Sequence, residues 1–456
     1  MAVSTSSVDF SVIRREPELV APAKPTPRKL KPLSDIDDQE GFRFQSPLIL
    51  FYGNNPSAIG DPAKVIREAL AAALVFYYPL AGRLVEGPNR KLMVDCTGEG
   101  VLFIEADADV TLDELGDEIM PPCTKLEELL YNVPGSDGII GCPLLLFQVT
   151  RLKCGGFIIA LRQNHTVSDA FGMVQLLNTI GEMAKGKSMP SVLPIWQRHI
   201  FSARHPPNTT CSHHEYINPS TVAESKIMLP TNVEVQKSFF FGPKELKSLR
   251  RQLPPLLQAS STFELLTACL WRCRTAALQL HPREEVRVSC VVSVRKKGMM
   301  HVPRGFYGNA SAWPAQVSEA QLLCRNPLGY AVELVKKAKA QMSEEYIKSV
   351  ADLMVIRGRP MYIETRNFLV SDTTIIGFGK VDLGWGKPIF AGPAAAVSII
   401  STYARYRNRK GEDGIVVPII LPQPVMERFI EEIRKITQDQ PLIGSCDVPS
   451  TIVSRI

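Results

Sequence analysis

The feature that most constrains this chain is a gap in its pattern. From about Lys187 to Val235 no helical or strand periodicity survives. Pro190, Pro194, Pro206, Pro207, Pro219 and Pro230 stand there among clustered Ser, Thr and His. Proline lacks the backbone donor that a helix interior or central strand requires. A connection this long is uncommon inside one compact domain and fits a crossover between two. The chain has 456 residues, more than one ordinary core accommodates. The expected division is a first domain over 1–186, a crossover linker over 187–235 and a second domain over 236–456.

Each side of the gap mixes strands and helices. In the first half, "SPLILFYG" reads as a strand. The next segment, "DPAKVIREALAAALVFYYPLAGRL", has Asp61 placed to cap a helix and Pro62 to start it. "LLLFQVTRLKCGGFIIALRQNH" reads as a hairpin turning at "CGG", and "DAFGMVQLLNTIGEMAKG" as an amphipathic helix begun by Ser168 or Asp169. In the second half, "VQKSFFFG", "EVRVSCVVSVR", "TIIGFGKVDL", "AAAVSIISTYARY" and "GIVVPIILP" read as strands. "STFELLTACLWRCRTAAL" and "QPVMERFIEEIRKITQ" read as helices, and "NPLGYAVELVKKAKAQMSEEYIKSVADLM" as one long helix. Strands and helices do not alternate strictly, so the fold class is α+β, twice, each time around a mixed sheet.

Bulk properties narrow the function. Net charge is +6 from 52 basic and 46 acidic residues, too mild and too dispersed for a nucleic-acid stripe. The clusters "RKKG" and "VKKAKA" suit a local anionic ligand or a solvated face. The N-terminus lacks the apolar core of a secretory signal, and the ten cysteines are scattered, several in apolar runs, as expected of free thiols in a reducing compartment. "CSHHE" lacks a second half at ligand spacing, so no metal is expected. No run approaches the ~20 apolar residues of a membrane span. The last residues, Ser454, Arg455 and Ile456, are similar to the S-K-L peroxisomal address and differ at the final position. The expected location is the peroxisome, through an import receptor, and otherwise the cytoplasm.

Chemistry concentrates in "RQNHTVSD". His165 follows an apolar run and precedes a helix, with Asp169 four residues on. H-x-x-x-D is weak alone, since seven histidines give about 0.3 chance matches. Its position is stronger: a polar side chain where a buried strand ends can face a cleft while its scaffold stays rigid. A neutral imidazole suits proton abstraction near neutral pH. Asp169 either buffers the imidazolium or holds the turn by pairing with an arginine elsewhere. A second segment, "VDLGWGKP", sets glycines around Trp385, which allows close backbone approach, and places Asp382 in an apolar stretch where burial would demand a partner.

"HTVSD" and "DLGWG" together resemble the two signatures of the plant BAHD acyl-CoA-dependent acyltransferases. "LSDID", "YYPLAGRL", "STFELLTACLWRCR" and "GFYGNA" extend the likeness over almost the whole chain. "EGPNRKLMVDC" and "YNVPGSDGIIGCPLLLFQVT" look like the alcohol acyltransferase branch, closest to its benzyl alcohol O-benzoyltransferases. The resemblance implies two chloramphenicol-acetyltransferase-like domains with a channel between them, in a monomer without bound cofactor or metal. Acyl-CoA enters from one face and the alcohol from the other. It makes His165 the general base. Asp169 becomes a structural residue paired with Arg295, and Asp382 draws on the same arginine. Ser261, Thr262 and Ser371 match positions near CoA, and Lys296, Lys297 and Arg304 are cations within reach of its phosphates. Trp385 is a candidate oxyanion donor through its indole N–H, with core packing as the alternative.

This sequence departs from the family pattern in three places. Leu383 stands for the usual Phe, an apolar exchange that preserves packing. Ser293 replaces an Asn two residues before Arg295. Asn164 stands where peptide-synthetase condensation domains carry a second His, which disfavours those. The implied reaction is attack of an alcohol on an acyl-CoA thioester, with benzoyl-CoA and benzyl alcohol giving benzyl benzoate. The alternative is an acetyl- or short-acyl-CoA enzyme making volatile esters. A catalytically inactive binding homologue would have lost the His or both signatures, and both persist.

Overall fold

The computed structural model describes residues 8–58, 60–216, 234–296, 298–364, 366–395 and 400–437. Lys297 and the terminal Ser454, Arg455 and Ile456 lie outside them.

The first sheet has seven strands. Four form its body: β1 (Gln45–Tyr52), β2 (Val101–Ala108), β3 (Leu145–Leu152) and β4 (Phe157–Asn164). Two helices cover one face. In α1 (Pro62–Phe76) the Asp61 carboxylate accepts from the Lys64 N–H, and Pro62 opens the helix. The second, α2 (Ala170–Ala184), is capped by Asp169, with Gly186 just past its end. Every residue of β4 is buried, because β1 and β3 flank it and helices or the second half cover its faces. The first five residues of β4 read as a continuous apolar run rather than an alternating one, and the buried Arg162, Gln163 and Asn164 follow.

After the described part of the crossover, the second half opens with β5 (Glu234–Phe241) and α3 (Thr262–Leu278), the latter begun by a Ser261/Glu264 capping box. Then come β6 (Glu285–Cys290), β7 (Ala315–Glu319), α4 (Leu328–Ala340), α5 (Glu344–Ile356) and β8 (Asn367–Asp372). The chain continues through β9 (Phe390–Pro393), β10 (Ser401–Arg407), β11 (Asp413–Pro422) and α6 (Gln423–Thr437). The second sheet runs β5-β11-β10-β8-β6-β7. Both sheets are mixed: β2 and β3 are parallel, as are β6, β8 and β10, and the remaining pairs are antiparallel. The α+β class with two mixed sheets is the observed architecture.

Three expectations need correction. The span 236–456 is not one unit, because β9 pairs antiparallel with β1, Phe390 opposite Phe51, and thus extends the first sheet. Phe378, Val381 and Leu383 pack in the first core as well, so the second half threads back into the first. "TIIGFGKVDL" is not a strand: Gly377 adopts φ +104° and starts a short 3₁₀ turn over Phe378–Lys380. The long helix breaks at Gln341, and Ser343 caps a new one through the Tyr346 N–H. Apolar periodicity runs through such a break, because two short helices can present the same face to one core.

Candidate active site

The return of the second half explains why the two motifs belong together. Gly181, on α2, lies so close to the 382–383 backbone that a Cβ there would stand 2.2 Å from the Asp382 carbonyl oxygen. Gly172, one turn into the same helix, sits equally close to the Tyr307 carbonyl, at 2.1 Å from a Cβ. The helix that starts at Asp169 is therefore clamped by backbone from two distant segments, and only glycine permits either approach.

His165 is the first residue beyond β4. Its N–H donates to the Phe44 carbonyl at 3.0 Å, which holds the turn to the chain entering β1. Its ring stacks on Phe42 (centroids 4.5 Å apart, planes 5° from parallel) and lies 5.2 Å from Phe44. One edge faces a cavity at the junction of the two halves. From the first half Phe42, Phe44, Leu48 and Phe171 line it; from the second come Trp313, Tyr362, Leu369, Ser371, Ile375, Ile376 and Thr402. Burial pushes the imidazole below its ordinary value. Its own carbonyl, the Asp169 charge and the Asn309 amide oppose this without overcoming it. The neutral form thus prevails at neutral pH.

Asp169 lines the cavity, but both of its carboxylate oxygens are engaged within the protein. One carboxylate oxygen accepts from the Gly172 N–H at 3.1 Å; the other accepts from Arg295 at 2.5 Å and from the Ala310 N–H at 3.1 Å. Arg295 also donates to the Gly308 carbonyl at 2.6 Å and lies over the Phe171 ring. Ser293, the departure from the family's Asn, is engaged: its hydroxyl donates to the Ala310 carbonyl and accepts from the Arg295 N–H, each at 3.3 Å. The pair expected between Asp169 and Arg295 is present.

Asp382 does not reach Arg295. Its Oδ1 accepts from the N–H groups of Gly384 (2.9 Å) and Gly386 (3.0 Å), and its Oδ2 from Lys185 (3.2 Å) at the end of α2. Burial raises its pKa, but the Gly384 and Gly386 N–H groups and Lys185 outweigh that and leave it below the usual carboxylate value. Both glycines have positive φ, +107° and +89°, which is the turn that aims both N–H groups at one oxygen. Leu383 is fully buried in the first core, the packing role expected of it. Trp385 does not line the cavity. Its indole packs edge-on against Phe157, 5.2 Å away, so the oxyanion assignment fails and the packing alternative holds.

The residues matched to CoA positions are dispersed. Ser371 lines the cavity. Ser261 does not: its hydroxyl caps α3 by accepting from the Glu264 N–H at 3.2 Å, with Thr262 as the next residue. Lys296 and Arg304 are exposed. The "CSHHE" segment is locked internally, with His213 between Glu215 (3.2 Å) and Ser349 (2.8 Å). Among the described residues no cluster could hold a metal ion, and no helix is long and apolar enough to cross a membrane.

Sequence reasoning missed the support beneath His165. Asp37 is fully buried and paired with Arg198 at 2.8 Å; it also accepts from the Asn309 N–H (3.0 Å) and carboxamide (2.9 Å). The same carboxamide donates to the His165 carbonyl at 2.9 Å. Asp37 stands in "LSDID" and Asn309 in "GFYGNA"; both segments were visible as marks of the family, without any sign of what they touch.

The chain matches the Transferase family over residues 10–436. It is 58% identical over 434 residues to alcohol acyl transferase 1 allele GSa of Malus domestica, and 58% identical over 436 residues to benzyl alcohol O-benzoyltransferase of Petunia hybrida. Each alignment covers 94% of this chain and 94% of the relative. The fold is that of vinorine synthase, with a TM-score of 0.73 over 93% of this chain and 98% of the other at 21% identity. The chain belongs to this family, the BAHD acyltransferases, and is an acyl-transferring enzyme whose co-substrate is an acyl-CoA thioester.

Proposed function

We propose that this acyl-CoA:alcohol acyltransferase transfers a benzoyl group from benzoyl-CoA to benzyl alcohol, giving benzyl benzoate, with His165 as the general base. The observation that carries the mechanism is the His165 imidazole on the wall of a cavity built from both halves, where burial favours its neutral form. His165 takes the hydroxyl proton as the alcohol oxygen attacks the thioester carbonyl. The C–S bond then breaks, and the imidazolium returns the proton to the departing thiolate. A thioester is already activated, so this step asks nothing of a metal or a covalent enzyme intermediate. The oxyanion needs donors on the wall; Ser371 and Ser311 bring hydroxyls there.

Aromatic substrates are supported by Phe42, Phe44, Trp313 and Tyr362, whose ring faces and edges suit an aryl group, and by the benzoyltransferase relative from Petunia. The equal identity of the Malus alcohol acyl transferase favours a second reading, short-acyl esters. CoA release measured over a matrix of benzoyl-, acetyl- and cinnamoyl-CoA against benzyl alcohol, hexanol and shikimate separates them: highest kcat/KM with benzoyl-CoA and benzyl alcohol supports the first, with acetyl-CoA and hexanol the second. A monomer, and peroxisomal import through Ser454, Arg455 and Ile456, complete the proposal. Unchanged distribution of an N-terminally fluorescent fusion after deletion of those three residues would remove the import claim.

A further inference from the structure

The main chain of His165 is held at both ends. Its N–H donates to the Phe44 carbonyl at 3.0 Å, and its carbonyl accepts from the Asn309 carboxamide at 2.9 Å. The side chain is held differently. Its buried nitrogen, Nδ1, has no hydrogen-bond partner among the described residues, although a carbonyl or carboxylate often orients a functional histidine through that atom. The last torsion of a histidine side chain is broad, so something else must fix the plane of the ring. The lone pair that takes the proton lies in that plane, and a modest rotation swings it away from the alcohol.

Phe42 supplies a flat face. Its ring centroid lies 4.5 Å from that of the imidazole, with the planes 5° from parallel, whereas Phe44, at 5.2 Å, is tilted by 42°. Such a separation is that of a favourable stacked pair. Phe42 ends a short 3₁₀ turn, Glu40–Phe42, and is buried. The second half braces it: Trp313 meets it edge-on at 4.9 Å, and Tyr362 meets Trp313 edge-on at 5.7 Å. The Tyr362 ring returns to Gly41, where a Cβ would stand 2.8 Å from its Cδ1 and Cε1. Three rings and a glycine thus close a circle, and the imidazole rests on its Phe42 face. We infer that Phe42 is a positioning residue for the transfer reaction: its ring sets the plane of the His165 imidazole and so aims the Nε2 lone pair into the cavity.

The inference rests on His165 as the base. Phe42 also lines the cavity, so the test separates aiming the base from shaping the pocket. Phe42→Leu keeps a buried apolar side chain without the flat face. The expected single-turnover rate is about 10–100-fold below wild type, and by the same factor for every acyl-CoA and alcohol pair the enzyme accepts, aryl or aliphatic, because all of them share the base. Carbon-13-edited proton NMR of the full chain labelled at its seven histidines reads the stack itself, with His165→Gln identifying the signal by its loss. Ring protons of His165 should be displaced upfield in the wild type by the Phe42 ring current and released in Phe42→Leu. A rate loss confined to aryl substrates would make Phe42 a pocket wall and overturn the inference, as would a wild-type rate in Phe42→Leu. Absence of the upfield displacement in the wild type overturns it even if Phe42→Leu fails to fold. If His165→Gln itself turns over normally, the general-base reading falls instead, whatever the stacking.

Discussion

Asp169 and Arg295 join the two halves of the molecule at 2.5 Å, directly beneath the turn that carries His165. The contact does two jobs at once: the Asp169 carboxylate caps α2 through Gly172, and it ties that cap to the loop that carries Ser293 and Ala310. Substitution of either residue should therefore lower stability and activity together. Asp169→Ala leaves a poorly solvated guanidinium and an uncapped helix, an expected loss of about 3 kcal/mol or more. Thermal unfolding beside turnover checks this; slower turnover at an unchanged Tm would return Asp169 to the chemistry.

His165→Ala should behave in the opposite way. The ring stacks on Phe42 at the cavity edge and makes no side-chain hydrogen bond that holds the fold. Loss of the base should lower kcat by about 10²–10⁴, with Tm shifted by no more than a few degrees. CoA release under saturating substrates, set beside a thermal melt of the same sample, measures both.

The pH dependence follows from the burial of His165. Its pKa lies below the model-compound value of 6.5. The active form is neutral, so raising the pH above neutrality adds no further base. Lowering the pH protonates the ring, and it does so later than for an exposed histidine. The acidic limb of kcat/KM should have its midpoint below 6.5. A midpoint well above that value would mean that a nearby negative charge outweighs burial.

Asp382 and Arg295 make no direct contact, so their substitutions should be independent. Asp382→Ala removes the acceptor of two N–H bonds and should cost about 1–3 kcal/mol. Lys185→Ala should cost under about 1 kcal/mol, because its ion pair with Asp382 is open to solvent. In a denaturation cycle of Asp382→Ala with Arg295→Ala the two effects should add within about 0.5 kcal/mol. A larger coupling would show that the two sites communicate.

Gly181→Ala and Gly172→Ala test the clamp on α2. Each new methyl would meet a carbonyl oxygen, of Asp382 or Tyr307, far inside van der Waals contact. Neither backbone can yield without shifting the catalytic turn. Each variant should lose about 1–3 kcal/mol along with activity, whereas Gly186→Ala, with open space around it but φ +83°, should affect stability alone.

Local signals in the chain reached a long way. Asp61 with Pro62, Ser261 with Glu264, and Asp169 with Gly172 are short-range contacts, and each helix start could be read from residues within four positions. The apolar run of 157–161 announced a buried strand from equally local residues. The place of His165 on the cavity wall was legible because a histidine between such a strand and such a helix has few places to point. The family's paired signatures extended that reading to Arg295 as the partner of Asp169.

What the sequence by itself determined, then, was most of the elements, the α+β class, the gap between two halves and the histidine proposed as the base. Tertiary structure alone decided which distant groups meet. Asp382 took Lys185 and two glycine N–H groups rather than Arg295, because the turn around Gly384 and Gly386 directs those donors at it. Phe390–Pro393 joined the first sheet because the free edge of β1 offered unpaired donors and acceptors, an opportunity that no property of the segment itself reveals. Asp37, Arg198 and Asn309 converged beneath His165 from three separate regions of the chain. A buried charge needs a partner, and only the packed molecule shows which residue supplies it.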